Sequence, residues 1–162
     1  MKVAVLFVLL ISAFSCNSRA ANLGDQISFQ SPDFTCSTDL RLFATTTIHV
    51  SAASRLLVNA RLTALAPEST GSMAASIGDL SQQNNDVGFT GQINMVNATN
   101  TDLSSMTINE FAVALGKTST VVLKPGNYSL NLLGSVNCAA ESAFVGGVLG
   151  WVLISAGPDV SN

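Results

Sequence analysis

The residue types that carry acid, base or nucleophilic chemistry are scarce in this chain. It has one histidine, His49, which lies among Thr45, Thr46 and Thr47 in a segment of alternating polarity. A Ser-His-Asp site would have to use that histidine, and the sequence has no Gly-x-Ser-x-Gly nucleophile elbow. A histidine on the wetter side of a strand is far more often a surface residue than a catalytic base. We therefore predict no catalytic residue, and we do not expect an enzyme.

The first 20 residues are typical of a secretory signal peptide. Lys2 precedes the apolar run 3–14 (VAVLFVLLISAF), and small and polar residues follow as far as Ala20 and Ala21. The run is too short to cross a bilayer as a helix, which takes about 20 apolar residues. We predict cleavage after Ala20, a single mature domain over residues 21–162 without a transmembrane segment, and secretion to the extracellular space.

Cysteine usage agrees with export. Cys16 falls inside the predicted signal peptide, so Cys36 and Cys138 remain as an even pair in an oxidising compartment. We predict that these two form a disulfide that joins the start of the domain to its end. Two alternatives stay open. Cys36 and Cys138 are buried free thiols in the first, and in the second Cys16 is the anchor of a bacterial lipoprotein, although Phe14 is bulkier than that motif favours.

Metal binding is limited by the same few residues. Zinc takes three or four Cys, His or carboxylate ligands, and one histidine with a bridged cysteine pair does not supply them. Calcium needs only oxygen ligands, which the segments 79–86 and 97–102 offer, but Asp and Asn are also the preferred turn residues. The prediction is no cofactor, with calcium as the alternative. Its candidate ligands are Asp79, Asn84, Asn85, Asp86, Asn97, Asn100 and Asp102.

Composition predicts a packed domain that does not bind nucleic acid. Hydrophobic residues make up 48% of the chain and charged residues only 10%, which excludes a disordered tail or a charged coiled coil. Seven basic residues stand against ten acidic ones, for a formal net charge of −3. Phosphate binding needs clustered Lys and Arg, so nucleic acid is not an expected partner.

The hydrophobic pattern predicts strands. In the clearest segment, 55–65, the inward side of a two-residue period holds Leu56, Val58, Ala60, Leu62 and Ala64, and the outward side holds Arg55, Asn59, Arg61 and Thr63. The same period places Leu42 with Ala44 on one side of segment 42–50 and makes Phe111, Val113 and Leu115 the inward residues of segment 108–115. Turn residues separate the segments, and only 53–57 and 73–80 could each hold a helical turn. We predict an all-β fold, an antiparallel β-sandwich of about eight strands resembling a jelly roll. The predicted strands are 25–30, 42–50, 55–65, 87–96, 108–115, 119–124, 127–133 and 143–154.

The last predicted strand, 143–154 (AFVGGVLGWVLI), is apolar on both of its faces and contains three glycines. A central strand buried on both sides is the first interpretation, because such strands have continuous apolar sequences. An oligomer interface and a membrane-active stretch are the alternatives. Homo-oligomerisation therefore remains open.

One stretch of the sequence resembles a known family. Segment 119–134 (STVVLKPGNYSLNLLG), with the apolar strand 144–154 after it, is similar to the C-terminal half of jelly-roll domains of the C1q and tumour-necrosis-factor type. The resemblance covers about a quarter of the chain. It implies a jelly roll that can trimerise and that acts by binding rather than by chemistry. The matching positions are Leu123, Gly126, Asn127, Tyr128, Leu130, Phe144 and Gly146.

Two Asn-x-Ser/Thr sequons make Asn97 and Asn127 the candidate glycosylation sites. A chain this rich in Asn, Ser and Thr contains about that many by chance. With catalysis and nucleic-acid binding disfavoured, we expect a secreted structural or extracellular-matrix protein that acts through surface interactions with matrix or surface components. The alternative is a jelly-roll recognition module that binds glycan or a small ligand, which exposed aromatic residues on a concave face would favour.

Overall fold

A computed structural model of the chain describes residues 23–66, 68–83, 85–90, 93, 94, 96, 97 and 103–157. Within these residues the chain forms twelve strands, and the single 3-10 turn Leu80–Gln82 connects the fourth strand to the fifth. The strands are β1 Leu23–Thr35, β2 Ser37–Val50, β3 Ser54–Leu65, β4 Thr70–Asp79, β5 Asn85–Phe89, β6 Ile93–Asn94, β7 Val96–Asn97, β8 Leu103–Phe111, β9 Val113–Ala114, β10 Val122–Leu123, β11 Gly126–Asn137 and β12 Ser142–Ser155.

The strands form two antiparallel sheets that pack face to face. The first sheet has the order β1-β12-β3-β8-β7, with β10 also paired to β3, and the second has the order β2-β11-β4-β5-β9, with β6 also paired to β4. Consecutive strands lie in different sheets at β1/β2, β2/β3, β3/β4, β6/β7, β8/β9, β9/β10, β10/β11 and β11/β12. This order is that of a jelly roll, so the predicted antiparallel sandwich is confirmed.

The core lies between the two sheets. Alternate residues of β3, from Leu56 to Ala64, are fully buried, as the sequence predicted, while Asn59 and Arg61 between them are exposed. The facing sheet contributes Ile77 from β4 and Leu130 from β11, both completely buried. Burying a side chain of this size stabilises the fold by about 1.5 to 3 kcal/mol. The period of two in the sequence is therefore the direct cause of the sandwich.

The last strand is central in its sheet, and its outer face is less completely buried than its inner face. β12 pairs with β1 on one side and with β3 on the other. Val145, Leu149 and Leu153 point into the core, whereas Phe144 is 40% exposed on the outer face. The expected burial on both sides is thus only partly met. Among the other outward residues the glycines at 146 and 150 are buried and the valines at 148 and 152 are half-buried.

One difference from the predicted pattern lies in β2, where Leu42 was expected to face the core with Ala44. A β-bulge opposite Leu132 and Leu133 pairs Ala44 with Leu132 and Leu42 with Leu133. The extra residue, Phe43, turns toward the core and packs on Phe29, with ring centroids 5.7 Å apart, while Leu42 is 56% exposed. A bulge inserts one residue and so reverses the face of everything beyond it.

A second difference is the phase of the segment 108–115. Phe111, Val113 and Leu115 were expected inside, but Phe111 is 41% exposed and the buried residues are Ile108 and Ala112. The pairing of β8 with β3 sets this phase, since Ile108 lies opposite the buried Ala60 and Phe111 lies opposite Leu57 on the outer face. When both the odd-numbered and the even-numbered positions of a strand contain large apolar residues, alternation in the sequence alone does not determine which set faces inward.

The two helical turns expected from sequence are also wrong. Residues 73–79 belong to strand β4, where Met73, Ala75 and Ile77 are buried at every second position, and only Leu80–Gln82 forms a turn of 3-10 helix. Residues 54–57 likewise begin β3. Because β4 is hydrogen-bonded on one side to β11 and on the other to β5 and β6, pairing overrides the modest helix preference of alanine.

Cys36 and Cys138 form the predicted disulfide, with their Cα atoms 5.7 Å apart. Cys36 lies between β1 and β2, and Cys138 lies between β11 and β12. Beside them, the backbone N–H of Cys36 donates to the carbonyl of Glu141 over 3.0 Å. The bridge therefore joins two connections that each cross from one sheet to the other.

We expect the double substitution Cys36→Ser with Cys138→Ser to lower the free energy of unfolding by about 4 to 5 kcal/mol, because the bridge closes a loop of 102 residues in the unfolded chain. Urea denaturation of the wild type and the variant at neutral pH measures the difference. The denatured, unreduced wild type should show no free thiol from this pair, and detection of two would contradict the bridge.

Substitution of two neighbouring glycines of β12 should destabilise the protein to different extents. A Cβ on Gly147 would clash with the backbone carbonyl oxygen of Arg61, whereas a Cβ on Gly146 would meet the ring of Phe144 at 3.3 Å. Because the strand backbone yields less easily than a side-chain ring, Gly147→Ala should destabilise the protein by about 2 kcal/mol or more, and Gly146→Ala by less than about 1 kcal/mol. Equal shifts of the urea midpoint would contradict this account.

Candidate functional site

A cleft of about 450 Å³ opens at one end of the sandwich. It lies between the turn that follows β4, the short strand β10, and the start of β11. The register of the second sheet sets Asp79, the last residue of β4, directly opposite Tyr128 in β11. Ser81, Gln82 and Lys124 complete the polar part of the lining, and the apolar part is supplied by Val87, Val121, Val122, Leu123 and Pro125.

Asp79 is held by the turn that it caps. Its Oδ1 accepts hydrogen bonds from the backbone N–H of Ser81 over 2.8 Å and from the Ser81 hydroxyl over 2.7 Å, and its Oδ2 accepts from Gln82 Nε2 over 3.1 Å. These bonds, the Ser81 hydroxyl first, lower the pKa of Asp79 below its ordinary value of 3.8. The carboxylate is therefore ionised at neutral pH and fixed in direction.

Tyr128 forms the inner wall of the cleft. Its ring is 5% exposed, and its hydroxyl donates to the carbonyl oxygen of Lys124 over 2.9 Å, which closes the turn through Pro125 and Gly126. Burial raises the pKa of Tyr128 above its ordinary value of 10.0, and the negative charge of Asp79 raises it further. The hydroxyl is thus protonated at neutral pH.

The cleft is suited to binding rather than to proton transfer. Its ionised carboxylate and its protonated phenol both titrate far from pH 7, whereas a general base or acid works best with a pKa near the working pH. The volume lies in the range of small-molecule sites, which combine apolar walls with a few polar groups. The geometry accordingly offers a fixed anion, an amide and hydroxyls to a ligand.

The structure places His49 on the outer face of the second sheet. Its side chain is exposed, and its Nδ1 lies 2.9 Å from Oδ1 of Asn127 on the neighbouring strand. The histidine is thus a cross-strand partner of the second sequon, whose Asn127 side chain is itself exposed. Asn97 lies in β7, and its side chain falls outside the described residues, as do residues 98–102.

The residues considered for calcium are distributed over several elements. Asp79 caps the turn at the cleft, and Asn85 and Asp86 are exposed at the start of β5. Asn84, Asn100 and Asp102 lie outside the described residues, as does the side chain of Asn97. In the part of the chain that the structure describes, no three of its His, Cys, Asp and Glu side chains come together as a metal site.

Sequence reasoning did not find this cleft. It gave Asp79 as a turn residue or a calcium ligand and Tyr128 as a position of the jelly-roll resemblance, and the turn assignment of Asp79 is confirmed. What joins them is the long-range pairing of β4 with β11. The local signals were present: Asp79 precedes Ser81 in a capping pattern, and Tyr128 follows a Pro-Gly turn.

A search of the described residues for helices that could span a bilayer finds none of the required length and apolarity.

The sequence matches no protein-family profile and no curated protein. Among solved structures it is similar to a chain of infectious bursal disease virus, Gx strain, with a TM-score of 0.53 and 14% identity over 96% of this chain and 37% of the viral one. A chain from a crystal structure of the same virus's particle gives a TM-score of 0.43 at 11% identity over 98% of this chain and 45% of the viral one. The chain thus spans less than half the length of these viral chains.

At 14% identity, the first of these likenesses concerns the fold alone. It agrees with the strand order in defining the chain as a jelly-roll β-sandwich with one disulfide. The predicted resemblance to jelly-roll proteins is confirmed at this level of architecture.

Replacing the cleft tyrosine should change the dependence of stability on alkaline pH. Because the folded pKa of Tyr128 is raised, the unfolded chain loses this proton first, so the stabilisation is complete below about pH 10 and declines as the pH rises toward the folded value. Tyr128→Phe should show a shallower decline than wild type, and at pH 7 it should lose about 1 kcal/mol with the bond to Lys124.

Urea denaturation of both proteins at neutral pH and across about pH 9 to 11 makes this comparison. Groups that both proteins share, such as lysines, cancel in the difference between the two curves. Parallel declines in wild type and variant would contradict the raised pKa of Tyr128.

Proposed function

We propose that this chain is a secreted extracellular structural protein that acts through non-catalytic contacts between its sheet faces and other extracellular components. The observation that carries the proposal is the covering of the two outer sheet faces, where neutral hydroxyl, amide, glycine and apolar residues predominate and charges are few. Such a surface offers many hydrogen-bond donors and acceptors over a wide area but concentrates no reactive group.

The second sheet illustrates this covering. Thr45 Oγ1 donates to Asn131 Oδ1 over 2.7 Å, Nδ2 of the same asparagine lies 3.4 Å from the Ser76 hydroxyl, and the hydroxyls of Ser72 and Ser135 lie 3.1 Å apart. These bonds run from strand to strand, so they hold the polar side chains in fixed directions. A fixed polar surface loses little conformational entropy when it binds a partner.

Three further observations support the proposal. The segment 1–20 has the pattern of a signal peptide, and a disulfide is typical of exported proteins. His49 is engaged with Asn127 on a flat sheet face rather than within a cleft. The cleft groups Asp79 and Tyr128 do not titrate near neutral pH. The first observation supports secretion, and the other two favour a protein without an enzymatic role.

Assembly with copies of itself would extend the same role. Large apolar side chains are exposed on both sheets, including Leu40 and Leu42 on β2 and Leu65 on β3. Exposed apolar residues that lie together mark surfaces where proteins associate. Extracellular-matrix components and further copies of this chain are therefore the partners that we propose.

The second candidate function is a jelly-roll recognition module of the C1q and tumour-necrosis-factor type, and the end cleft favours it. A fixed carboxylate at Asp79, beside Gln82 and the wall of Tyr128, would suit one small polar ligand. In that case, binding would be concentrated in the cleft rather than spread over the sheets.

Fractionation of the source tissue or culture tests the main proposal. An antibody against the mature domain should find the protein in the insoluble extracellular fraction, with an N-terminus near Ala21, and mild denaturant should release it. Gly126→Ala serves as the discriminating variant, because its new Cβ would stand 3.5 Å from the Tyr128 ring and narrow the cleft. Unchanged retention in the extracellular fraction is expected.

Two results would overturn the proposal. Recovery of the protein only from inside cells would exclude an extracellular role. Loss of retention in Gly126→Ala, with folding intact, would transfer the function to the cleft and establish the recognition module instead.

A further inference from the structure

The outer face of the first sheet carries two depressions with glycine floors. Along β12 the outward residues are Phe144, Gly146, Val148, Gly150 and Val152, so glycine alternates with larger apolar residues. One depression, of about 360 Å³, lies over Gly146, and the other, of about 430 Å³, lies over Gly150. Val148 separates them. We call the outward side of β1, β12, β3 and β8 the notched face.

The fold does not require these two glycines in the way that it requires Gly147. Neither of them has a positive φ. A Cβ on Gly150 would meet the Asn59 carbonyl oxygen at 3.2 Å and Gln26 Cβ at 3.6 Å, and a Cβ on Gly146 would meet the Phe144 ring. These contacts are tight but leave room for small adjustments. The outward glycines therefore matter chiefly for the space that they leave open.

Amides and hydroxyls border both depressions, together with Arg61 at the first and Asp25 at the second. The register places Gln26 and Asn59 on either side of Gly150, with Asn109 next along the same row, and Asn59 Nδ2 donates to Asn109 Oδ1 over 3.5 Å. The row through Gly146 carries Gln30 and Thr63 in the same way. An amide both donates and accepts hydrogen bonds, which is also true of a sugar hydroxyl.

Apolar side chains stand at the two ends of the notched face. Phe144 and Leu65 lie opposite each other beyond the first depression, and Val152, Leu57 and Phe111 form a row beyond the second. Phe111 and Phe144 are each about two-fifths exposed. A sugar ring has a hydroxylated rim and a face of C–H groups, so it needs both kinds of neighbour. The notched face offers them side by side.

The charge of the protein favours neutral sugars over acidic ones. Two formal charges line the depressions as far as the structure describes them, Arg61 at the first and Asp25 at the second, and the chain as a whole has a net charge of −3. A sulfated or uronic-acid polymer would be repelled by the acidic protein and would find no cluster of Lys and Arg here. A neutral polysaccharide encounters neither obstacle.

The spacing of the depressions indicates the size of the ligand. Gly146 and Gly150 are four residues apart in an extended strand, which corresponds to roughly 13 Å. One sugar ring does not reach across that distance, whereas a short chain of sugars does. We propose that the notched face binds a neutral polysaccharide lying along β12, with rings seated over Gly146 and Gly150. This inference rests on the proposed extracellular role and names its partner.

The test uses the mature, disulfide-intact protein on an array of neutral oligosaccharides of glucose, mannose, galactose and xylose, together with heparin and polygalacturonate. Binding to at least one neutral oligosaccharide of three or more units is expected. The double variant Asn59→Ala with Asn109→Ala should weaken it about tenfold, because it removes two amides from one row. Gly150→Ala, which fills a depression without removing an amide, should weaken it as well.

The matched control is Thr47→Ala with Asn137→Ala, which removes two exposed polar groups from the second sheet. It should bind within about twofold of wild type. Thermal unfolding of each variant shows whether the fold is retained. If the double amide variant does not fold, Gly150→Ala and Gln26→Ala decide the question.

Several outcomes would overturn the inference. These are binding to heparin or polygalacturonate alone, no binding to any neutral oligosaccharide, and equal loss of binding in the control. A fourth outcome is that the protein is still retained on extracellular material after periodate oxidation of the sugars in that material, but is no longer retained after protease treatment. The partner would then be a protein. A protein partner would overturn the sugar-binding inference but leave the extracellular structural role intact. An intracellular location would instead overturn the extracellular role, and the array would still decide whether the notched face binds neutral sugars.

Discussion

The placement of β12 between β1 and β3 is the constraint on which the remaining architecture depends. The strand pairs along nearly its whole length on both sides, and its inward residues Val145, Leu149 and Leu153 meet the core formed by β3, β4 and β11. The close approach of β3 at Gly147 leaves no room for a side chain there. Its outward side is open, and the two depressions lie on it. One strand thus contributes both to the core and to the outer face that carries the depressions.

Much of this fold could be predicted from the sequence because its cause is local. In β3, an apolar residue at every second position from Leu56 to Ala64 determines the buried face, although Leu57 and Leu65 stand on the outer side. Prediction failed where a non-local feature decides the outcome. The bulge at Phe43 reverses the face of Leu42, and the register of β8 on β3 turns Phe111 outward. Both depend on which strands become neighbours, which alternation does not encode.

The same division applies to the candidate site. The sequence identified the disulfide partners, because the predicted mature domain contains only two cysteines. It also identified the turn residues Asp79 and Pro125. It did not predict that Asp79 and Tyr128 lie side by side, because the pairing of β4 with β11 in the second sheet brings them together. The sequence also did not distinguish Gly147, where close packing leaves no room for a side chain, from Gly146 and Gly150, where a small side chain could be accommodated.

The adjacency of the first and last long strands also bears on when the domain can fold. β1 has β12 as its hydrogen-bonded neighbour, so this pairing is impossible until β12 has been synthesised. Folds dominated by such distant contacts form slowly, over milliseconds to seconds, because long loops must close before the contacts stabilise the chain. We expect the nascent chain to remain extended during synthesis. A polypeptide in that state is suited to threading through a narrow translocation channel, and its topology would then delay compaction until the far side is reached.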